Sequence, residues 1–355
     1  MYEMKIKSSI RDYRLEIIDD FEGYLNNVYN DGDFIIVDEK VYYLYSEKFD
    51  NEKWQNRIIR ILASEETKNY LALADIIEKL IENGFRKNNT LIAIGGGVTQ
   101  DVTAFIASIM FRGVDWVFFP TTLLAQGDSC IGSKTSINFK KYKNQIGNFY
   151  SPREIFVDLN FLKTLDKRDL ISGLGEMAHY FLVASEDDFK RFKDEFVKAQ
   201  SDFKVLKDLL WRSLQIKKSY IEIDEFDKNE RQVFNYGHSF GHAIETLTNY
   251  QIPHGVAVSI GMDMANFISV KYGYLTMDKR EEMREMLKQI WQGYSIKNIN
   301  LEDMKNALRK DKKNKGELLG LILTKGPGKT FKVYKELDEN FSHWLTEYFQ
   351  NEFER

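Results

Sequence analysis

The chain has 355 residues, 43% of them apolar, and a formal net charge of −4. Positive and negative side chains are interspersed, which excludes the basic face of a nucleic-acid binder, and no apolar run reaches membrane-spanning length. The lone Cys130 excludes an intrachain disulfide framework and fits a reducing compartment, and the opening Met1-Tyr2-Glu3-Met4-Lys5-Ile6-Lys7 lacks the apolar stretch of a signal peptide, so a cytoplasmic protein is expected.

At ~150 residues per domain the length suggests two domains. Phe34-Ile35-Ile36-Val37 and Ile58-Ile59-Arg60-Ile61-Leu62 read as strands. Glu66 to Asn83 has helical spacing, with Leu71, Leu73, Ile76, Ile77, Leu80 and Ile81 on one face. Thr90 to Ile94 is a strand running into Gly95-Gly96-Gly97, and Val98 to Met110 is helical. Trp116 to Phe119 and Glu154 to Asp158 are further buried strands. This alternation implies a parallel sheet with helices on its faces. After about Asp166 helices dominate: Asp188 to Lys198, Lys204 to Ile223, Val233 to Thr248, Val256 to Tyr272 and Lys279 to Trp291, with Leu318 to Leu323 as a short strand. The expected architecture is an α/β, Rossmann-like N-terminal domain over residues 1–166 and a mainly α-helical domain over 167–355.

Three features carry chemistry. A strand that ends in Gly95-Gly96-Gly97 and opens a helix suits a pyrophosphate, because glycine lets the backbone approach and the first helical N–H groups point at the anion. The run is not the full G-x-G-x-x-G fingerprint and also reads as a tight turn with no ligand. Pro120-Thr121-Thr122 adds hydroxyls at the same carboxyl edge, where open α/β sheets bind ligands. Second, Asp128 to Thr135 followed by Lys140-Lys141-Tyr142-Lys143-Asn144 supplies cations suited to a phosphorylated substrate. Lys134 and Lys143 are the better candidates there, and Lys140 and Lys141 read as solvated.

Third, three of only five histidines fall in Tyr236-Gly237-His238-Ser239-Phe240-Gly241-His242 and Ile252-Pro253-His254-Gly255, with Glu176 and His179 upstream. His238 and His242 share a helix face, as do Glu176 and His179, so each pair can chelate. A catalytic zinc needs three protein ligands and an open position. Taken singly, each histidine also reads as a hydrogen-bonding group in a helix interface, and spacing leaves open which three groups bind.

Gly95-Gly96-Gly97-Val98-x-x-Asp101, Phe111-Arg112-Gly113-Val114-Asp115, Pro120 to Ser129 and Asn235 to Glu245 together resemble the 3-dehydroquinate synthase family of sugar-phosphate cyclases, over about Phe34 to Lys325. The last two motifs are highly specific, whereas the glycine triad alone is not. The resemblance implies a homodimer of two-domain subunits that uses NAD and zinc, or cobalt or another divalent ion in its place. Carried over, it gives Glu176, His238 and His254 as metal ligands. It puts Lys134, Asn144, Asn235, His242 and Lys312 on the substrate phosphate, with Arg112 reaching the phosphate site of the neighbouring subunit. Asp128, Lys143, Lys217 and Arg231 would line the rest of the substrate pocket. For NAD the matches are Asp38, Glu65, Lys68, Gly95, Gly96, Gly97, Asp101, Thr121 and Thr122.

The implied reaction is that of an NAD- and zinc-dependent carbon–oxygen lyase. 3-Deoxy-D-arabino-heptulosonate 7-phosphate becomes 3-dehydroquinate plus phosphate by transient oxidation, phosphate elimination, reduction and intramolecular aldol closure. Arg231 and Lys217 form a cationic pair suited to the substrate carboxylate. The chain departs from the family pattern at His179, where a lysine is usual, and at Lys40, Gln100 and Ser133. Asn138-Phe139-x-x-Tyr142-Lys143-Asn144 is closer to the sedoheptulose 7-phosphate cyclases. His179 is therefore a candidate substrate contact, and a cyclase acting on sedoheptulose 7-phosphate or glucose 6-phosphate is the alternative. Two further alternatives are a metal-dependent NAD polyol dehydrogenase and a non-catalytic protein that keeps the fold.

Overall fold

The computed structural model describes residues 2–140 and 142–355; Met1, first residue of the opening segment read above, and Lys141, read above as solvated, lie outside them. The chain divides into two compact units, Met1–Asp166 with Lys217–Phe226, and Lys167–Ile216 with Asp227–Arg355.

The first unit is built on strands β1 (Glu3–Ile6), β2 (Tyr13–Ile18), β3 (Phe34–Asp38), β4 (Ile58–Ile61), β5 (Leu91–Gly95), β6 (Trp116–Pro120), the hairpin β7 (Ile137–Phe139) and β8 (Tyr142–Ile146), and β9 (Glu154–Asp158). Seven of them form one sheet in the order β1-β2-β9-β6-β5-β3-β4. The β1–β2 pair is antiparallel and the remaining pairs are parallel. Its helices are α1 (Phe21–Val28), α2 (Glu39–Leu44), α3 (Ser46–Phe49), α4 (Leu73–Glu82) and α5 (Gly97–Ile109). Central strands β5 and β6 are buried on both faces, as expected of parallel strands covered by helices.

On one face Ile35, Val37, Ile92, Ile94, Val117 and Phe119 pack with Phe21, Trp54 and Phe161. Phe21 sits edge-on to both Phe119 and Phe161. Each such side chain contributes roughly 1.5–3 kcal/mol by burial. Strand order reverses around β5, so the carboxyl ends of β3, β5 and β6 present Asp38, the glycine triad and Thr121-Thr122 along one edge, the usual place for a ligand in such a sheet.

Two predicted helices begin later than expected. The helix expected from Glu66 starts at Leu73, because residues before it form turns and a 3₁₀ turn at Tyr70–Ala72, capped by Asn69 Oδ1 accepting from the Leu71 N–H. The helix expected from Val233 starts at His238: Glu230–Asn235 is a 3₁₀ turn, and Gly237, at φ 79°, takes a left-handed conformation that only glycine adopts freely.

The second unit contains α6 (Lys167–Ala184), α7 (Glu186–Ala199), most of α8 (Phe203–Ile223), α9 (His238–Leu247), α10 (His254–Lys271), α11 (Met277–Trp291), α12 (Leu301–Arg309), the hairpin β10 (Leu319–Thr324) and β11 (Thr330–Lys335), and α13 (Glu339–Glu347). Helix α10 is buried from Gly255 to Ser269 and packs against α6, α9 and α11, which makes it the core helix of this unit. The expected boundary at 166 puts all later residues in the helical domain. The segment Lys217–Phe226 instead belongs to the first unit. Lys217 is held there by Asp128, and Glu225 accepts hydrogen bonds from Ser8, Ser9 and Ser133.

Candidate active site

In the first unit the glycine turn is closed on one side and open on the other. A Cβ on Gly95 would stand 2.4 Å from Thr99 Oγ1, whereas on Gly97 it would meet nothing within 4 Å. Helix α5 starts at this turn with no side-chain cap, so its first N–H groups face outward from the sheet edge. The Thr121 N–H donates to the Gly95 carbonyl at 2.9 Å, which sets the two carboxyl-end turns side by side. Asp38 caps α2 through the Lys40 N–H at 2.8 Å, and burial pushes its carboxyl above the usual range.

Charged groups are paired along this edge. Lys68 Nζ lies 2.6 Å from Asp101 Oδ2, and Asp101 Oδ1 accepts from the Ser136 N–H at 3.0 Å. Burial raises the Asp101 carboxyl although Lys68 opposes it. Lys143 Nζ lies 3.1 Å from Glu65 Oε1. Lys217 Nζ is buried and donates to Asp128 at both the carbonyl (2.6 Å) and Oδ1 (2.8 Å). Lys134 and Asn144 are exposed, as is Lys140. Arg112 stands apart: it is exposed, has φ 65°, and lies beyond the C-terminal end of α5, roughly 20 Å from the glycine turn at 1.5 Å per residue.

The second unit gathers Glu176, His179, His238, His242 and His254. Glu176 and His179 come from α6, His238 and His242 from the first turns of α9, and His254 opens α10. Gly255 permits this: a Cβ there would stand 1.8 Å from the Ser172 carbonyl oxygen, so only glycine lets α10 approach α6 so closely. Glu176 is buried, with Oε1 3.4 Å from His238 Nε2 and Oε2 3.3 Å from His254 Nε2. One ligand atom from each of His238, His242 and His254 lies within 4.8 Å of the others.

The ring orientations are fixed from behind. His238 Nδ1 is 3.1 Å from the Tyr236 carbonyl, which can only accept, so Nδ1 carries the proton and Nε2 the lone pair. His254 Nδ1 is 3.0 Å from Glu245 Oε2, which likewise places a proton on Nδ1. Glu176 Oε2 is buried with no hydrogen bond aligned on it. The Nε2 atoms of His238 and His254 and the Glu176 carboxylate therefore lie together, a set that fits a divalent cation with one position open once His254 gives up the Nε2 proton it holds without a cation. Burial pushes the Glu176 carboxyl up, but the imidazoles of His179 and His238 outweigh this and hold it well below the usual range. Burial pushes the His254 imidazole down, yet Glu176 and Glu245 hold it well above the usual range.

His179 Nδ1 donates to the Glu176 carbonyl at 2.6 Å, and its ring lies edge-on to His238. Arg231 is buried on the 3₁₀ turn Glu230–Asn235, and Asn235 at its end donates Nδ2 to the Gln232 carbonyl at 3.1 Å. Lys312 lies on the turn after α12.

Models of the 3-dehydroquinate synthase N-terminal and C-terminal domains match residues 58–172 and 173–314. The chain belongs to the 3-dehydroquinate synthase family. As a member of that family it is an enzyme, a cyclase. It is 35% identical over 304 residues to the 3-dehydroquinate synthase of Thermoanaerobacter sp. (strain X514), covering 83% of this chain and 85% of that one. It is 40% identical over 267 residues to that of Campylobacter concisus (strain 13826), covering 75% and 76%. A solved 2-deoxy-scyllo-inosose synthase complexed with carbaglucose-6-phosphate, NAD+ and Co2+ shares the fold, with a TM-score of 0.85, 24% identity, and coverage of 98% of this chain and 99% of that one. No helix among the described residues is long and apolar enough to cross a membrane.

Glu245 has no role among the residues carried over from the family resemblance. It stands at the end of the quoted Asn235–Glu245 motif and, on α9, three residues after His242. That spacing puts it on the face shared with the imidazoles, a signal the sequence did carry.

Proposed function

We propose that this chain is a cytoplasmic 3-dehydroquinate synthase, acting as a homodimer. It converts 3-deoxy-D-arabino-heptulosonate 7-phosphate to 3-dehydroquinate and phosphate with NAD and a divalent cation, zinc by preference. The observation that carries the reading is the Glu176, His238 and His254 donor set with Nδ1 of both imidazoles anchored from behind, in a chain of this family. When bound, NAD takes up and returns a hydride and the cation polarises the alcohol being oxidised, so phosphate leaves without net redox.

Glu176, His238 and His254 hold the cation. His242 contacts the phosphate instead: its ring is exposed, and among the described residues no hydrogen bond fixes its Nδ1 as those of His238 and His254 are fixed. Lys134, Asn144, Asn235 and Lys312 supply further donors to the phosphate, and Arg112 reaches that of a neighbouring subunit. Asp128 holds the buried Lys217 ammonium in place, and Lys217 and Arg231 supply the two cations that a carboxylate-bearing substrate requires. Lys143 is oriented by Glu65. Asp38, Glu65, Lys68, Asp101, the glycine triad, Thr121 and Thr122 hold NAD, with the uncapped N-terminus of α5 on its pyrophosphate.

His179 favours a second reading, in which a carboxylate-free sugar phosphate is the substrate. Its Nδ1 is committed to the Glu176 carbonyl, which gives it a shorter reach than the lysine usual at that place. Phosphate released from the heptulosonate phosphate, sedoheptulose 7-phosphate and glucose 6-phosphate separates the two. The leading reading expects release chiefly from the first; release only from either of the others overturns it.

A further inference from the structure

Asn138 occupies the irregularity in the β7–β8 hairpin, between Ile137 and Phe139, and is only 3% exposed. A bulge turns a side chain out of the ordinary strand alternation, and here it turns the carboxamide inward. Both Nδ2 protons go to Glu65, one to Oε2 at 2.7 Å and one to the carbonyl at 3.3 Å. Oδ1 accepts from the Asn144 N–H at 2.9 Å. The Asn138 N–H donates to the Lys68 carbonyl at 2.9 Å, and Asn69 Nδ2 donates to the Lys140 carbonyl at 2.9 Å. Lys143 Nζ adds its ion pair with Glu65.

One carboxamide thus spends both donors on the loop 64–69 and its acceptor on the hairpin residue Asn144, whose backbone is left-handed at φ 52°. Asparagine tolerates that conformation better than most residues, and here the bond from its N–H to Asn138 Oδ1 fixes it. Asn138 is thus the hydrogen-bonded link between Glu65 and the backbone of Asn144, next to Lys143.

We propose that Asn138 is a positioning residue that couples the Glu65–Lys68 loop to the Lys143–Asn144 hairpin, so that NAD and a phosphate-bearing ligand bind with positive cooperativity. The inference rests on the reading above that the loop contacts NAD and the hairpin contacts the substrate. Whichever ligand arrives first fixes loop and hairpin together, and the second finds its contacts already ordered.

The test is NAD+ binding by titration calorimetry on the full chain, with and without saturating inorganic phosphate. In the wild type phosphate should tighten NAD+ binding by about fivefold or more, a typical coupling between sites. In Asn138→Ala the ratio of the two affinities should fall to about one. Asn138→Asp is isosteric and keeps the acceptor for Asn144 but sets a carboxylate against Glu65, so its ratio should fall as well. It serves as the test if the alanine variant does not fold. A general loss of stability would weaken both affinities without moving their ratio. A wild-type ratio of one, or variants that keep the wild-type ratio, overturns the proposal while leaving the assigned function intact. A wild type that binds no NAD+ overturns that function, and the coupling with it.

Discussion

Two of the departures from the family pattern are local structural pairs. Gln100 Nε2 donates to the Ser129 carbonyl and its Oε1 accepts from Ser129 Oγ, both at 2.6 Å, which clamps the turn that carries Asp128 to α5. Ser133 Oγ donates to Glu225 at 3.0 Å. Neither side chain is engaged by any of the proposed ligand-binding residues, so both substitutions are explained by packing in the first unit. His179 differs, since it lies against Glu176 and His238 themselves. The residue types that gather around Glu176 were legible in the sequence, but spacing alone left open which of the five would hold a cation, because helical spacing says which side chains share a face and not which are anchored from behind. Glu245 anchors one of them, through its bond to His254 Nδ1. Glu245→Gln keeps an acceptor and loses the charge, and should weaken zinc affinity by about tenfold; Glu245→Ala should approach 100-fold. Chelator competition on the metal-free protein measures both, and unchanged affinity in the alanine variant would remove Glu245 from the site.

At the level of elements, the strands legible in the sequence were the apolar runs β3, β5, β6 and β9, buried almost throughout, and the edge strand β4, whose isoleucines are interrupted only by the exposed Arg60. The antiparallel pair β1–β2 went unread because exposed residues such as Glu3, Lys5 and Arg14 break its apolar character at the sheet edge. The close approach of α10 to α6 was equally invisible, since it depends on the absence of one Cβ. Gly255→Ala should force the helices apart, because the added carbon would meet backbone atoms that cannot rotate away, 1.8 Å from the Ser172 oxygen and 2.8 Å from the Glu176 nitrogen. A stability loss of roughly 1–3 kcal/mol is expected from such overpacking, together with reduced bound metal, read by thermal melting and metal analysis. Wild-type metal content in a folded variant would show that the helices need not be so close.

The same scale explains why α8 ends in the first unit. Burial pushes the Glu225 carboxyl up, but bonds from Ser9, Ser8 and Ser133 outweigh it and leave it below its ordinary value of 4.5. A depressed carboxyl stabilises the fold fully above that ordinary value, and the contribution is lost as pH falls through the folded one. Glu225→Gln should therefore cost about 1 kcal/mol at neutral pH, allowing for partial exposure, and the gap to wild type should close under acid. Urea midpoints across the range measure this; a gap independent of pH would mean that the charge is irrelevant.

For the whole molecule, each of the two compact units carries its own cluster of polar and charged groups. One presents a glycine turn and paired lysines at a sheet edge, the other a carboxylate among imidazoles. Strand–helix alternation followed by helices foretold the architecture. The return of Lys217–Phe226 to the first unit was not legible, because helix α8 runs on from Phe203 without a break in its pattern. The chemistry attributed to this molecule is a redox cycle that closes on itself, and its most direct measurement follows phosphate and NADH together. Protein freed of nucleotide, loaded with zinc and given less NAD+ than enzyme is mixed with excess 3-deoxy-D-arabino-heptulosonate 7-phosphate. Many phosphates released per NAD+, with no build-up of NADH, is the expected result. NADH rising one for one with substrate consumed, without phosphate, would contradict it.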